Sequence, residues 1–319
     1  MAVQAPAARP GKPGKPGRTA RAPGRPRGRR GGYWVFLLPS AVLFTAVIAV
    51  PFLMNIGISF TRWSGIGDPR WLGLDNYARL VADERFWASF RNNVALIVAM
   101  AIVPTLIGLV LAATLFDHVG KKFGPRTASV LRAAYYLPQV LPVAVAGIVW
   151  GWIMHPRYGV LNEFLGLFGA EPRSWLGDPD WALPSVMMIM VWFQIGYPVV
   201  IFMAGLQRVD PALYEAAEMD GASWWRRLRH ITIPQIRPEI YVVLLTCTIA
   251  ALKVFGPIFV LTRGGPGGAT LVPSYFSYQN FFEKANAGYG AAIATVLTLV
   301  IIVITVFFLR IQDDEEREP

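Results

Sequence analysis

The chain has 319 residues, of which 54% are apolar and only 16% charged, and its mean hydropathy is +0.43. Soluble domains of this size rarely read so apolar, and several uncharged runs are long enough to cross a bilayer. A single cysteine, Cys247, excludes an internal disulfide and a zinc cluster of cysteines, and its apolar run marks it as a small packing residue.

The net charge of +10 is unevenly placed. Residues 1–32 hold nine of the basic residues and no acid, among Gly, Pro and Ala. Such a segment cannot bury enough apolar surface to fold. A basic tail of this kind binds nucleic acid or keeps the N-terminus cytoplasmic beside anionic lipid. Next to an apolar run the second reading is preferred, so the lipid membrane is an expected partner and nucleic acid is not.

Six apolar segments follow: Trp34–Phe60, Asn92–Phe116, Ala133–His155, Trp181–Leu206, Ile240–Thr262 and Ala287–Leu309. Each exceeds the ~20 residues that cross ~30 Å of hydrocarbon at 1.5 Å per residue. The predicted fold is an all-α membrane protein with six transmembrane helices in residues 33–310, followed by an acidic cytoplasmic tail, 311–319. The first segment is too long for a signal peptide, and no small-residue cleavage site follows, so an uncleaved anchor is expected. With the N-terminus inside, the inner segments hold twenty basic residues and the outer loops nine, which favours both ends in the cytoplasm. The tail supplies most of that bias.

Prolines 39, 51, 104, 138, 142, 198 and 257 lie within the spans and predict kinks. Kinked helices suit a moving pathway and are equally ordinary in bundles. Glycines 147, 151, 196 and 205 are read as points of close helix approach. In the fourth span Gln194 and Tyr197 are three residues apart, hence on one face. They suit either sugar hydroxyls or a buried interhelical hydrogen bond. Lys253 is the ionised side chain well inside a predicted span, where an isolated charge costs at least ~2.5 kcal/mol. It is read as a pathway residue, or as paired with a helix carbonyl or a partner chain.

Between the fourth and fifth spans the chain turns polar. Asp210 is a predicted N-cap and Pro211 opens a short helix, with Glu215 and Glu218 near its positive end. Ala216 and Ala217 let a partner surface approach closely, and Asp220 precedes Gly221, which permits a left-handed turn. Trp224 and Trp225 are expected at the membrane interface, Arg226, Arg227 and Arg229 at lipid phosphates, and Pro234 and Pro238 break the chain before the fifth span. An amphipathic helix lying on lipid is the plainer alternative, and the three acids argue against it.

Glu215-Ala216-Ala217, three residues, Gly221, nine residues, then Ile231, Ile233 and Pro234 resembles the coupling loop of permease subunits in ATP-binding-cassette importers. Ile233 stands where that pattern has Leu. The resemblance extends through Leu38-Pro39-Ser40, Leu72-Gly73-Leu74-Asp75-Asn76-Tyr77, Asn92-Asn93, Tyr158-Gly159-Val160-Leu161-Asn162, Leu252-Lys253-Val254-Phe255 and Leu261-Thr262-Arg263-Gly264-Gly265-Pro266. These look like carbohydrate-importer permeases, of the type related to the first permease of the maltose system. That system's long extracellular insert and extra leading helices have no counterpart here, and Gly256 replaces an acid that often follows Phe in relatives.

The resemblance implies a second permease subunit, two ATPase subunits, an extracellular solute-binding protein, a sugar substrate and transport by alternating access. It also implies that the loop docks on the ATPase through Glu215, Ala216, Ala217, Asp220, Gly221, Ile231 and Pro234. No cofactor is expected, because ATP is bound by a separate chain. The sequence shows no G-x-x-x-x-G-K-[ST] phosphate cradle and no H-E-x-x-H, and its three histidines are scattered, so neither an enzyme nor a metal site is expected. An ion-coupled carrier would show intramembrane acids, and an intramembrane enzyme a paired nucleophile and base.

Overall fold

The computed structural model describes residues 33–317, so the basic tail expected over residues 1–32 lies outside the described residues. The chain divides into two units, Met1–Val50 and Pro51–Pro319. In the first, Tyr33–Phe44 is α-helical and Thr45–Ala49 is a π-turn. The second unit holds the rest of the helices and all the packing described below.

Four helices are long and apolar enough to span: α1 (Phe36–Ser59), α3 (Glu84–His118), α7 (Pro179–Leu206) and α13 (Ala287–Gln312 of a helix that continues to Arg317). Two further segments pass only as bent pairs. α4 (Pro125–Val140) and α5 (Val143–Ile153) meet at 94°, and α9 (Trp224–Gln235) and α10 (Arg237–Leu252) meet at 75°. Counting each pair as one crossing gives six.

This corrects two expected spans. Ala133–His155 is not one helix: Pro142 cannot donate to the ladder and disfavours helical backbone at Leu141, which is extended (φ −70°, ψ 135°), and there α4 ends while α5 restarts in another direction. Ile240–Thr262 stops at Leu252, and a short helix α11 (Gly256–Leu261) resumes after Lys253–Phe255. The last helix also runs through most of the expected acidic tail, to Arg317.

The connections are fastened by buried amides. Between α1 and α3, the pair β1 (Thr61–Arg62) and β2 (Arg70–Trp71) is followed by α2 (Asp75–Ala82). Asn76 donates to the carbonyls of Ser59 and Thr61, both at 2.9 Å. Asn92 and Asn93 of α3 donate to Leu271 O (3.0 Å) and Ala251 O (2.9 Å). Beyond α5 comes α6 (Val160–Gly166), and before α13 comes α12 (Pro273–Tyr278). The core forms two clusters. One gathers Phe86, Met100, Ile189, Ile258, Tyr275, Tyr289 and Ile293. The other gathers Leu109, Phe202, Leu206, Tyr214, Leu228, Ile236 and Val243.

Glycines set three helix crossings. A Cβ on Gly196 would lie 2.3 Å from Tyr135 O, one on Gly147 2.8 Å from Val260, and one on Gly205 3.1 Å from the Glu239 side chain. Gly151 has nothing within 4 Å, so it is not the contact point expected of it.

Candidate functional site: the polar loop between α7 and α10

The loop begins with α8 (Pro211–Met219). Asp210 caps it, accepting from Ala212 N at 2.9 Å, and Pro211 occupies the first turn, where a missing N–H costs nothing. Its C-terminus closes as a Schellman motif: Ala222 N donates to Ala217 O (2.9 Å) and Gly221 N to Glu218 O (3.1 Å). Gly221 takes φ +69°, the left-handed conformation expected of it. That turn redirects the chain into α9, whose Ile231 and Ile233 pack on the cluster of Leu206, Tyr214 and Leu228. Pro234 lies exposed near the C-terminal end of α9, just before the bend into α10.

One side of α8 is embedded. Tyr214 is buried, its hydroxyl 3.0 Å from Thr232 Oγ1 of α9, and its ring meets Phe116 of α3. The other side faces out. Glu215, Ala216 and Asp220 are exposed, Ala217 is half-buried, Met219 is 89% exposed and Trp225 66%. Glu215 borders an open groove of about 220 Å³ with Phe116, Asp117, Gly120, Pro211 and Tyr214. The loop therefore presents a carboxylate, two small residues and two large apolar side chains outward from a buried footing.

Arg227 departs from its expected place at lipid phosphates. It is 12% exposed, and its guanidinium donates to Asp117 Oδ2 (2.6 Å) at the end of α3 and to Glu218 Oε1 (2.8 Å) in α8. Arg226 and Arg229 are exposed. Trp224 is half-buried against the cluster of Leu206, Tyr214 and Leu228, and only Trp225 stays at the surface. Asp117 escaped the sequence reading because it stands 110 residues from Arg227. The available signal was an acid and a base each terminating an apolar run. A second pair, Arg208 with Glu239, joins the end of α7 to the start of α10, and Gly205 leaves room for it.

The residues proposed to meet solute are not gathered into one site. Gln194 is buried, accepting from Gln139 Nε2 (3.1 Å) and donating to Cys247 Sγ (3.1 Å). Tyr197 OH lies 3.1 Å from Thr246 Oγ1. Both thus take interhelical bonds between α4, α7 and α10. Lys253 sits exposed at the break between α10 and α11. Among the described residues no group of three or more His, Cys, Asp or Glu is placed to hold a metal ion.

Residues 105–317 match the family described as binding-protein-dependent transport system inner membrane component. The chain is 36% identical over 238 residues to a probable ABC transporter permease protein of Pyrococcus horikoshii, covering 74% of this chain and 80% of that one. It is 33% identical over 238 residues to a trehalose/maltose transport system permease protein of Thermococcus litoralis (75% and 78% covered). A lactose transport system permease protein of Rhizobium radiobacter is 30% identical over 291 residues (89% and 94% covered). In fold it is similar to a bacterial ABC transporter that imports the acidic polysaccharide alginate, with a TM-score of 0.76 at 24% identity over 88% of this chain and 95% of that one. The chain belongs to the family of inner-membrane components of binding-protein-dependent transport systems.

Proposed function

We propose that this chain forms half of the translocation pathway of a carbohydrate importer and delivers the work of a separate ATPase through α8. As a permease it is a multi-pass protein of the plasma membrane and a transport component, not an enzyme. Its solute is a sugar or oligosaccharide, a reading supported by relatives named for trehalose/maltose and lactose. A structural neighbour in complex with an alginate-bound periplasmic protein supports an extracellular receptor as the donor of solute. The complete assembly is two different permeases and two ATPases. This chain crosses six times, with the tails 1–32 and 311–319 and the loop Gln207–Glu239 in the cytoplasm.

The observation that carries this reading is the form of the loop. A capped helix with a buried root and an outward face of Glu215, Ala216 and Met219 is shaped for a protein partner. The Glu215 carboxylate is exposed and has no hydrogen bond or ion pair among the described residues, which leaves it available for a basic group on the ATPase. The pathway contacts proposed for Gln194, Tyr197 and Lys253 involve the reverse situation for the first two, whose polar atoms already bond between helices.

The test is reconstitution with the second permease, the ATPase and the receptor. Loaded receptor should raise ATP hydrolysis, and Glu215→Ala should cut that response by about tenfold, a usual size for coupling between sites. Full coupled transport by Glu215→Ala in an intact complex would remove Glu215 from the docking role. A cysteine at position 215 that reacts only with reagents added outside the cell would reverse the orientation.

A further inference from the structure

The ion-paired cluster around Arg227 joins three separate pieces of chain. Asp117 closes α3, Glu218 sits in α8, and Arg227 lies in α9, which leads into α10. The arginine is 12% exposed and Asp117 9%, and the ring of His118 approaches the same carboxylate at 3.8 Å. Ala113, Phe116, Leu206, Trp224 and Leu228, with Tyr214 and Thr232, line a cavity beside them of about 10 Å³, room for at most a single water. Glu218 is 42% exposed, whereas Arg227 and Asp117 are held largely dry. Charges held so are poor contributors to stability, since desolvation offsets their attraction, and their best-attested use is to fix one arrangement of elements.

Apolar packing resists compression, but its contacts are non-directional, so two greasy faces can slide. A two-sided guanidinium resists sliding and separation, because each N–H···O bond fails within a small change of distance or angle. We infer that Arg227 is the positioning residue that makes α8, the end of α3 and the root of α10 move as one body. A displacement of the exposed face of α8 then reaches both crossings without loss. This rests on the reading of α8 as the ATPase-docking helix, and assigns to Arg227, Asp117 and Glu218 the transmission of the stroke rather than its reception.

The experiment uses the reconstituted complex and reads solute moved per ATP hydrolysed, together with cross-linking of a cysteine at position 219 to the ATPase. Arg227→Met should keep the cross-link while the solute-to-ATP ratio falls about tenfold. Asp117→Asn combined with Arg227→Met removes the carboxylate that the single variant deprives of its guanidinium. It should restore thermal stability and the yield of assembled complex but leave the ratio low. An unchanged ratio in cross-linked Arg227→Met overturns the inference alone. So does a double variant that recovers the ratio together with stability, for the cluster is then only structural. Absence of the cross-link in the otherwise unaltered complex overturns both this inference and the docking of α8.

Discussion

At the scale of single residues, the closest approaches in this chain are made where a side chain is missing. Gly196 lets α7 lie against the backbone of α4, since a Cβ there would stand 2.3 Å from Tyr135 O and 2.6 Å from Tyr136 Cα. Backbone cannot rotate away as a side chain can, so the helices themselves must part. Gly196→Ala should therefore destabilise the protein by about 3 kcal/mol, the upper end of overpacking costs, and break the Gln139–Gln194 bond beside it. Gly151→Ala meets nothing within 4 Å and should be neutral or stabilising by up to about 1 kcal/mol through helix propensity. Thermal unfolding midpoints of the two purified variants check the contrast. Equal midpoints would show that the α4–α7 crossing is looser than drawn. The sequence distinguishes these glycines poorly, because small residues in apolar runs look alike until their opposite neighbours are known. Arg227 raises the same difficulty: its neighbours Arg226 and Arg229 are exposed, and nothing local separates it from them.

Elements show why some of the fold was legible and some was not. The loop of α8 was readable because its determinants are local: Asp210, Pro211 and Gly221 each act on backbone within a turn of themselves. The spans were readable as apolar runs but not as continuous or broken helices. Pro104 and Pro142 both interrupt apolar runs, yet they act differently. Before Pro104 the helix widens into the π-turn Val98–Ile102, and before Pro234 into Leu228–Thr232. Widening carries the chain past the clash of the ring with the carbonyl four residues back. At Pro142 the helix instead ends, and α5 sets off at 94°. The two limbs are held by different partners, Gly196 on α4 and Val260 against Gly147 on α5, so the outcome is decided by tertiary packing rather than by proline itself.

Several motif residues that mark the resemblance proved to be fasteners of connections. Asn162 donates to Pro156 O (3.1 Å) and Arg173 O (2.9 Å) and accepts from Arg173 N (3.2 Å) and Trp175 Nε1 (2.7 Å). It ties α6 to the strandless loop that returns to α7. Asn162→Ala strands four partners in a largely buried place and should cost about 2 kcal/mol or more, felt locally. Limited proteolysis should then cut between residues 155 and 178 at a raised rate while the helices remain protected. An unchanged cleavage pattern would mean that ring contacts such as Trp175–Trp181 hold the loop alone.

At the scale of the whole chain, its charges say where it is incomplete. Basic residues are biased toward one set of connections, and the ion pairs of Arg227, largely buried, and of Arg208, exposed, lie in the segments that the charge bias assigns to the cytoplasm. Lys253 belongs to neither group. It occupies the break between α10 and α11, exposed, its N–H donating to Ile249 O (3.1 Å) and its ammonium with no hydrogen bond or ion pair among the described residues. Facing lipid, an ammonium at span depth would cost about 3 kcal/mol. That cost is avoided if the side chain meets water, solute or the second permease, and we propose that the surface around Lys253 faces the inside of the assembled pathway. The break is consistent with this placement, because irregular backbone at span depth persists where protein or water covers it. Lys253→Met should leave membrane insertion and assembly intact and lower sugar uptake at limiting solute by about fivefold, a contact of 1 kcal/mol made to solute or to an outer gate. Uptake kinetics of the variant indistinguishable from those of the parent, in an equally assembled complex, would instead make Lys253 a residue of the permease–permease interface.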